Sequence, residues 1–220
     1  MVKISKGKLR GLKAVSDNRG VIRAAAMDQR GSLQKSIAKG KGVPDSEVTR
    51  QMMEEFKAEV AKALTPHASA ILLDPEFGLP AVKARDKKAG VLLAYEKTGY
   101  DNISPGRLGD LIDGWNVKRL LENGADCIKI LIYYTPFEKP DINEKKHDWI
   151  EEIGRECAEN DAPFFLEFVG YDMNGCDEKN DIEDAGVGYG ENRTYTAEQQ
   201  ARIKEIDAKK AELRNPNAVL

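Results

Sequence analysis

The sequence predicts an α/β protein built on a parallel sheet, and three observations predict it. Five short apolar runs read as strands, each rich in Ala, Val, Ile or Leu. Stretches of helical character alternate with them, which is the pattern of a parallel sheet. Strand side chains alternate between faces, so each run can place one ionisable residue on a shared inner face, at or near its C-terminal end. Barrel and doubly wound enzymes both build their sites at that end.

Taken in order, residues 5–15 form a short basic helix expected outside the first strand. Residues 21–27 are the first strand, ending in Asp28-Gln29-Arg30-Gly31-Ser32. Residues 35–45, with Lys39-Gly40-Lys41-Gly42, read as a mobile surface loop. Ser46 is expected to cap a helix running to about residue 64, with Met52, Met53, Phe56, Val60 and Leu64 as its core stripe. Residues 69–73 are the second strand, ending at Asp74, and residues 79–88 a short helix. Residues 91–94 are the third strand, ending at Tyr95-Glu96-Lys97. A polar loop over 98–102 precedes a helix predicted over 105–123 and closed by Gly124.

Residues 124–136 hold the fourth strand. Ile128, Ile130 and Ile132 lie on one face, and Lys129 lies on the other, where an unpaired charge would be costly. A helix over 143–160 and a strand over 162–169, carrying Glu167, follow. Residues 170–195 are rich in Gly, Asn, Asp and Glu without period, a long acidic loop expected to be functional or disordered. A charged helix over 197–213 closes the pattern. The whole reads as one domain over 1–220.

Composition narrows the function. The 220 residues are 41% hydrophobic and 32% charged, as for a soluble globular protein. A formal net charge of -3 argues against nucleic acid as a partner. No apolar run approaches the roughly 20 residues of a membrane helix, and the first residues lack the apolar core of a signal peptide. Cys127, Cys157 and Cys176 are odd in number and scattered, which suits a reduced, cytoplasmic protein. His67 and His147 alone are too few for a His-rich zinc site.

The period of two puts Asp28 with Ala24 and Ala26, Asp74 with Leu72, Glu96 with Leu92 and Ala94, and Glu167 with Phe165. Lys129 shares its face with Leu131 and Tyr133. Asp74 serves equally well as a cap for the next helix. Tyr95 and Tyr133 read as wall or core residues.

Four blocks then resemble a known family in the same order. They are Ala26-Met27-Asp28-Gln29-Arg30-Gly31-Ser32-Leu33, Leu92 to Tyr100, Ala125 to Tyr134, and Phe164-Phe165-Leu166-Glu167. They resemble the class I tagatose-1,6-bisphosphate aldolases and, less tightly, the sulfofructose-phosphate aldolases. The resemblance implies a (β/α)8 TIM barrel and metal-independent Schiff-base cleavage of a ketose bisphosphate, with no cofactor. It implies Glu167, Lys129 and Asp28 as catalytic residues, with Glu167 in proton transfer. Gln29, Arg30 and Glu96 are expected to bind substrate. The partner implied is a small sugar phosphate, with no membrane and with a homo-oligomer allowed.

In that family the Schiff-base lysine lies on a sixth strand and the phosphate loops follow strands seven and eight. Five strands are read here, so the chain is expected to be the N-terminal part of such a barrel, inactive alone, with apolar area exposed on its inner face. Two rival readings remain. One is a non-catalytic sugar-phosphate-binding or regulatory relic of the fold. The other is a five-stranded flavodoxin-like domain, which would have strand order 2-1-3-4-5 and for which no phosphate-loop motif follows the first strand.

Overall fold

The computed structural model describes residues 4–101 and 104–171. Two compact units are present: one comprises 1–134 and 139–169, the other 135–138 and 170–220. Among the described residues of the second unit, the Tyr171 hydroxyl donates to Glu138 Oε2 at 2.9 Å.

The first unit is a five-stranded sheet in the order β1 (Ala24–Met27), β2 (Ala70–Leu73), β3 (Gly90–Ala94), β4 (Cys127–Tyr134) and β5 (Phe164–Gly170). Every strand neighbours its successor, so there is no switch point and the flavodoxin-like order is ruled out. The first four strands pair in parallel, and one register row runs Ala26, Leu72, Leu92, Cys127. That row lies on the inner face, where Ala70, Leu92 and Cys127 cluster with Leu72 and Phe165. The opposite face carries Ile71, Leu73, Val91, Leu93, Ile128 and Ile130 into the larger core beneath the helices. Both faces of the middle strands are therefore apolar, as a parallel sheet requires.

Three helices differ from expectation in position or extent. α1 (Lys6–Val15) does not lie outside β1. It runs along the N-terminal ends of the middle strands, where Ser69 Oγ donates to Val15 O at 2.7 Å. Its buried residues are Gly7, Gly11 and Val15. A Cβ on Gly11 would run into Asp126 O and the Pro163 ring, so the close approach depends on glycine.

Residues 35–41 are not a loop but part of α2 (Gly31–Lys41). Leu33, Ile37 and Ala38 pack with Val48 and Met53, which outweighs the cost of Gly40 within the helix. Gly42 ends it at φ 68°, and the Val43 N–H donates to Ala38 O at 3.1 Å.

The helix predicted over 105–123 shrinks to α5 (Val117–Glu122), capped by Asn116, whose Oδ1 accepts from the Arg119 N–H at 2.7 Å. Upstream, Gly106, Arg107 and Gly114 all have positive φ. The Lys97 N–H donates to Asp110 O at 2.8 Å and the Ile112 N–H to Tyr95 O at 3.1 Å, folding the segment back antiparallel along the exit of β3.

α3 (Arg50–Leu64) is capped by Thr49 rather than Ser46, which sits in a 3₁₀ turn. Its buried stripe is Met53, Lys57 and Ala61, whereas Phe56 and Leu64 are exposed. α4 (Leu79–Ala84) and α6 (Pro140–Glu159) match the predicted helices to within a few residues. On the inner face of β1, Ala24 and Ala26 are exposed. The long acidic loop and the final helix lie outside the described residues, apart from residues 170 and 171.

Ile130 is fully buried in the larger core. Ile130→Ala should lower unfolding free energy by about 2–5 kcal/mol, read from the shift of the urea midpoint at constant slope.

Candidate active site

In a flat sheet β1 and β4 would lie roughly 14 Å apart, three strand spacings. Yet Lys129 Nζ donates to Asp28 Oδ2 at 2.9 Å. Side chains of that length bridge three strands only if the sheet curls toward its inner face, as barrel strands do. Curvature and site thus come together in one interaction.

Lys129 is the single lysine in the described strands and is almost completely buried. Its ammonium has three donors, and three carboxylates meet it. Glu96, from the end of β3, accepts at 3.0 Å. Glu167, from β5, stands at 2.8 Å. Asp28, from the end of β1, completes the set. The three acids differ in exposure: the Glu96 side chain is 8% exposed, Asp28 17% and Glu167 51%.

Burial works to lower the Lys129 pKa, but the charges of Glu96 and Asp28, with the hydrogen bonds of Glu167 and Asp28, outweigh it and hold the amine above the usual lysine range. Burial raises the Glu96 pKa, and the nearby Lys129 and Arg30 cations only partly oppose this.

Arg30 opens α2 with its guanidinium buried. Nη1 pairs with Glu76 Oε2 at 2.7 Å and Nη2 donates to Glu96 O at 2.8 Å. Arg30 Nε and Glu96 Oε2 are buried without a hydrogen-bond partner among the described residues. Of the six residues singled out in the sequence, Lys129, Asp28, Glu96 and Glu167 meet directly, and Arg30 joins them through the Glu96 backbone. Gln29 is exposed, and it is its backbone carbonyl that is engaged.

Asp74 does not face the cluster, contrary to its pairing with Leu72 by period. It lies one residue past β2, as Asp28 does past β1, but two contacts of its own draw its carboxylate elsewhere. Its Oδ1 accepts from the Phe77 N–H at 2.8 Å and its Oδ2 takes the ammonium of fully buried Lys57. Lys57 was missed because it was masked by the expected Phe56 stripe. The signal was its spacing, four residues after Met53 and four before Ala61.

Ionisable residues gathered at the C-terminal ends of sequentially ordered strands define the class: a TIM-barrel-type α/β domain, five strands of it among the described residues. Residues 22–214 match the model of the DeoC/LacD family aldolase, and the chain belongs to that family. It is 54% identical over 177 residues to a tagatose 1,6-diphosphate aldolase 2 of Enterococcus faecalis, covering 80% of this chain and 52% of the relative. It is 51% identical over 177 residues to a tagatose 1,6-diphosphate aldolase of Listeria monocytogenes, covering 80% and 51%. The chain spans about half the length of the curated relatives it matches. A crystal structure from Corynebacterium glutamicum has TM-score 0.48 and 17% identity, covering 76% of this chain and 55% of its own, a likeness too loose to carry weight. Among the described residues no helix is long and apolar enough to cross a membrane.

Removing Lys129 leaves the three acids facing one another. Lys129→Met should cost roughly 3–5 kcal/mol of stability at neutral pH. Because the folded-state pKa is raised, the charged lysine's stabilisation is fully present below the unfolded lysine value of about 10.4. It is lost as pH rises through the folded value. Denaturation from pH 7 to 11 should therefore show a constant gap between wild type and variant that narrows only at the alkaline end.

Proposed function

We propose that the chain forms part of a Schiff-base aldolase that needs no metal. The reaction is reversible cleavage of tagatose 1,6-bisphosphate, or a similar ketose phosphate, to dihydroxyacetone phosphate and glyceraldehyde 3-phosphate. Similarity to tagatose 1,6-diphosphate aldolases supports the substrate class. The observation that carries the mechanism is the ring of carboxylates around Lys129.

Attack on a ketose carbonyl needs a neutral amine. Lys129, ion-paired to three acids, is held in its charged form, so it serves as a helper cation rather than as the nucleophile. It lowers the pKa of a neighbouring amine and donates to substrate oxygens. Glu167 is the most exposed of the three acids, which suits exchange of protons with substrate and solvent. In this role it deprotonates the hydroxyl beside the scissile carbon–carbon bond. The electrons of that O–H bond form the new carbonyl, and those of the broken bond remain on the dihydroxyacetone half until that carbon is protonated. Asp28 orients hydroxyls and the helper lysine. Arg30 and Glu96 act behind the substrate: the Arg30 guanidinium holds the Glu96 backbone, and the Glu96 carboxylate holds Lys129. Gln29, exposed beside Asp28, contacts substrate at the mouth.

The 220-residue chain is expected to form no covalent adduct when treated with dihydroxyacetone phosphate and borohydride. Peptide mass mapping reads this directly, and a stable adduct on Lys129 would sink the helper assignment. In a full-length enzyme carrying these residues, Glu167→Gln should lower kcat by about 10²–10⁴-fold, and cleavage should survive a chelator. Loss of activity to chelation, restored by zinc, would overturn the metal-independent reading.

A further inference from the structure

Lys57 takes no part in the chemistry just proposed, yet it is the most completely enclosed cation described. It lies on α3 with none of its side chain exposed. Its ammonium donates to Met27 O at 2.7 Å, to Gln29 O at 2.8 Å and to Asp74 Oδ2. All three donors are thus used. The two carbonyls belong to the residues on either side of Asp28.

We propose that Lys57 is a positioning residue that holds the Asp28 carboxylate against Lys129. Peptide units are planar, so the Met27 carbonyl holds the plane that enters Asp28, and the Gln29 carbonyl holds the plane one residue beyond it. Held at both points, the short backbone stretch between them has few conformations left, which restrains the direction of the Asp28 Cα–Cβ bond. Asp28 needs such support, because β1 ends at Met27 and no strand pairing continues through residue 28. Asp74 in turn anchors Lys57: its other oxygen is held by the Phe77 N–H at the exit of β2. A chain of contacts therefore runs from β2 through Asp74 and Lys57 to the backbone around Asp28, and through the Asp28 side chain to Lys129. The inference rests on the reading of Lys129 and its acids as the working face, but its test does not require turnover.

The test reads the titration of Lys129 in the 220-residue chain by competitive acetylation over a pH series, with mass mapping of its peptide. The charged groups facing Lys129 are Asp28, Glu96 and Glu167, and those near Lys57 are Asp74, Asp28 and Arg30. In Lys57→Met, Asp28 loses its support and the Lys129 amine should titrate lower. At a fixed pH below the midpoint, Lys129 labelling should rise roughly threefold to tenfold, as in Asp28→Asn. Loss of the Lys57 charge alone would act in the opposite direction, since removing a nearby cation raises a lysine pKa. The sign therefore separates lost positioning from lost charge. If circular dichroism shows that Lys57→Met fails to fold, the double variant Lys57→Met with Asp74→Asn, which leaves no unpaired buried charge, carries the test with the same expected rise. Asp74→Asn alone removes the anchor but keeps both carbonyl bonds, so Lys129 labelling should rise by less than in Lys57→Met. Unchanged or slower labelling in the folded Lys57 variant overturns the proposal. So does a rise in Asp74→Asn as large as that in Asp28→Asn.

Discussion

The Lys129 ammonium can sit inside this sheet only because carboxylates reach it, and that requirement connects strands that pairing alone would leave apart. Glu96 and Glu167 come from the strands flanking β4, but Asp28 comes from three strands away. Its 2.9 Å contact exists because the sheet is curved. The apolar inner row of Ala26, Leu72, Leu92 and Cys127 is compatible with that curvature, since small and medium side chains fit a concave surface. α1 covers the N-terminal ends below and leaves the C-terminal ends for chemistry. Hydrophobic packing stabilises the layers, and the ion cluster can close only at this degree of bend. Breaking a buried charge cluster is costly even where forming it gained little, so it acts more as a constraint on shape than as a source of net stability.

The three acids around Lys129 are not equivalent, and the difference arises from position. Glu96 lies at the exit of β3, covered by the returning segment that pairs Glu96 with Leu111. Burial accordingly raises its pKa despite the neighbouring cations. Glu167 lies on β5, and half its side chain remains exposed. One residue further along the same strand, Phe168 is also exposed, so this end of β5 is open on both faces. An acid that exchanges protons needs access, whereas one that holds an ammonium needs seclusion. The sheet places one acid in its interior and the other toward its rim, and the proposed proton transfer calls for the second.

Much of the strand pattern was legible in the sequence, because alternation survives in short buried strands. Lys129, Asp28, Glu96 and Glu167 were placed on one face by period alone. The rule held at Asp28, one residue beyond its strand, but failed at Asp74, where a lysine on α3 takes the side chain. Helices were less legible. Residues 105–123 read as one helix closed by Gly124, but Gly106, Gly109 and Gly114 interrupt the segment, and hydrogen bonds to the Tyr95–Lys97 backbone decide its path. Conversely, the glycines and lysines of residues 35–41 suggested a loop, while tertiary burial of Leu33, Ile37 and Ala38 won over propensity. Lys57 was hidden for a related reason: a lysine within an apolar helix stripe looks like an interruption until a buried acid stands opposite.

The electrostatics of β4 also bear on how covalent catalysis is divided between residues. A nucleophilic lysine has to be neutral for part of its time, and burial beside another cation is a recognised means to that end. Lys129 is buried, but each carboxylate drawn toward it favours the charged form. Two unit charges at about 3 Å attract by several kcal/mol even at an effective dielectric near 20, and here three such contacts converge. The same arrangement makes a durable cation that can depress the pKa of an amine brought close to it. One side chain cannot be both the stable charge and the group that must shed its proton. In the proposed mechanism Lys129 therefore takes the first task, and the Schiff-base reading calls for a second amine to perform the other.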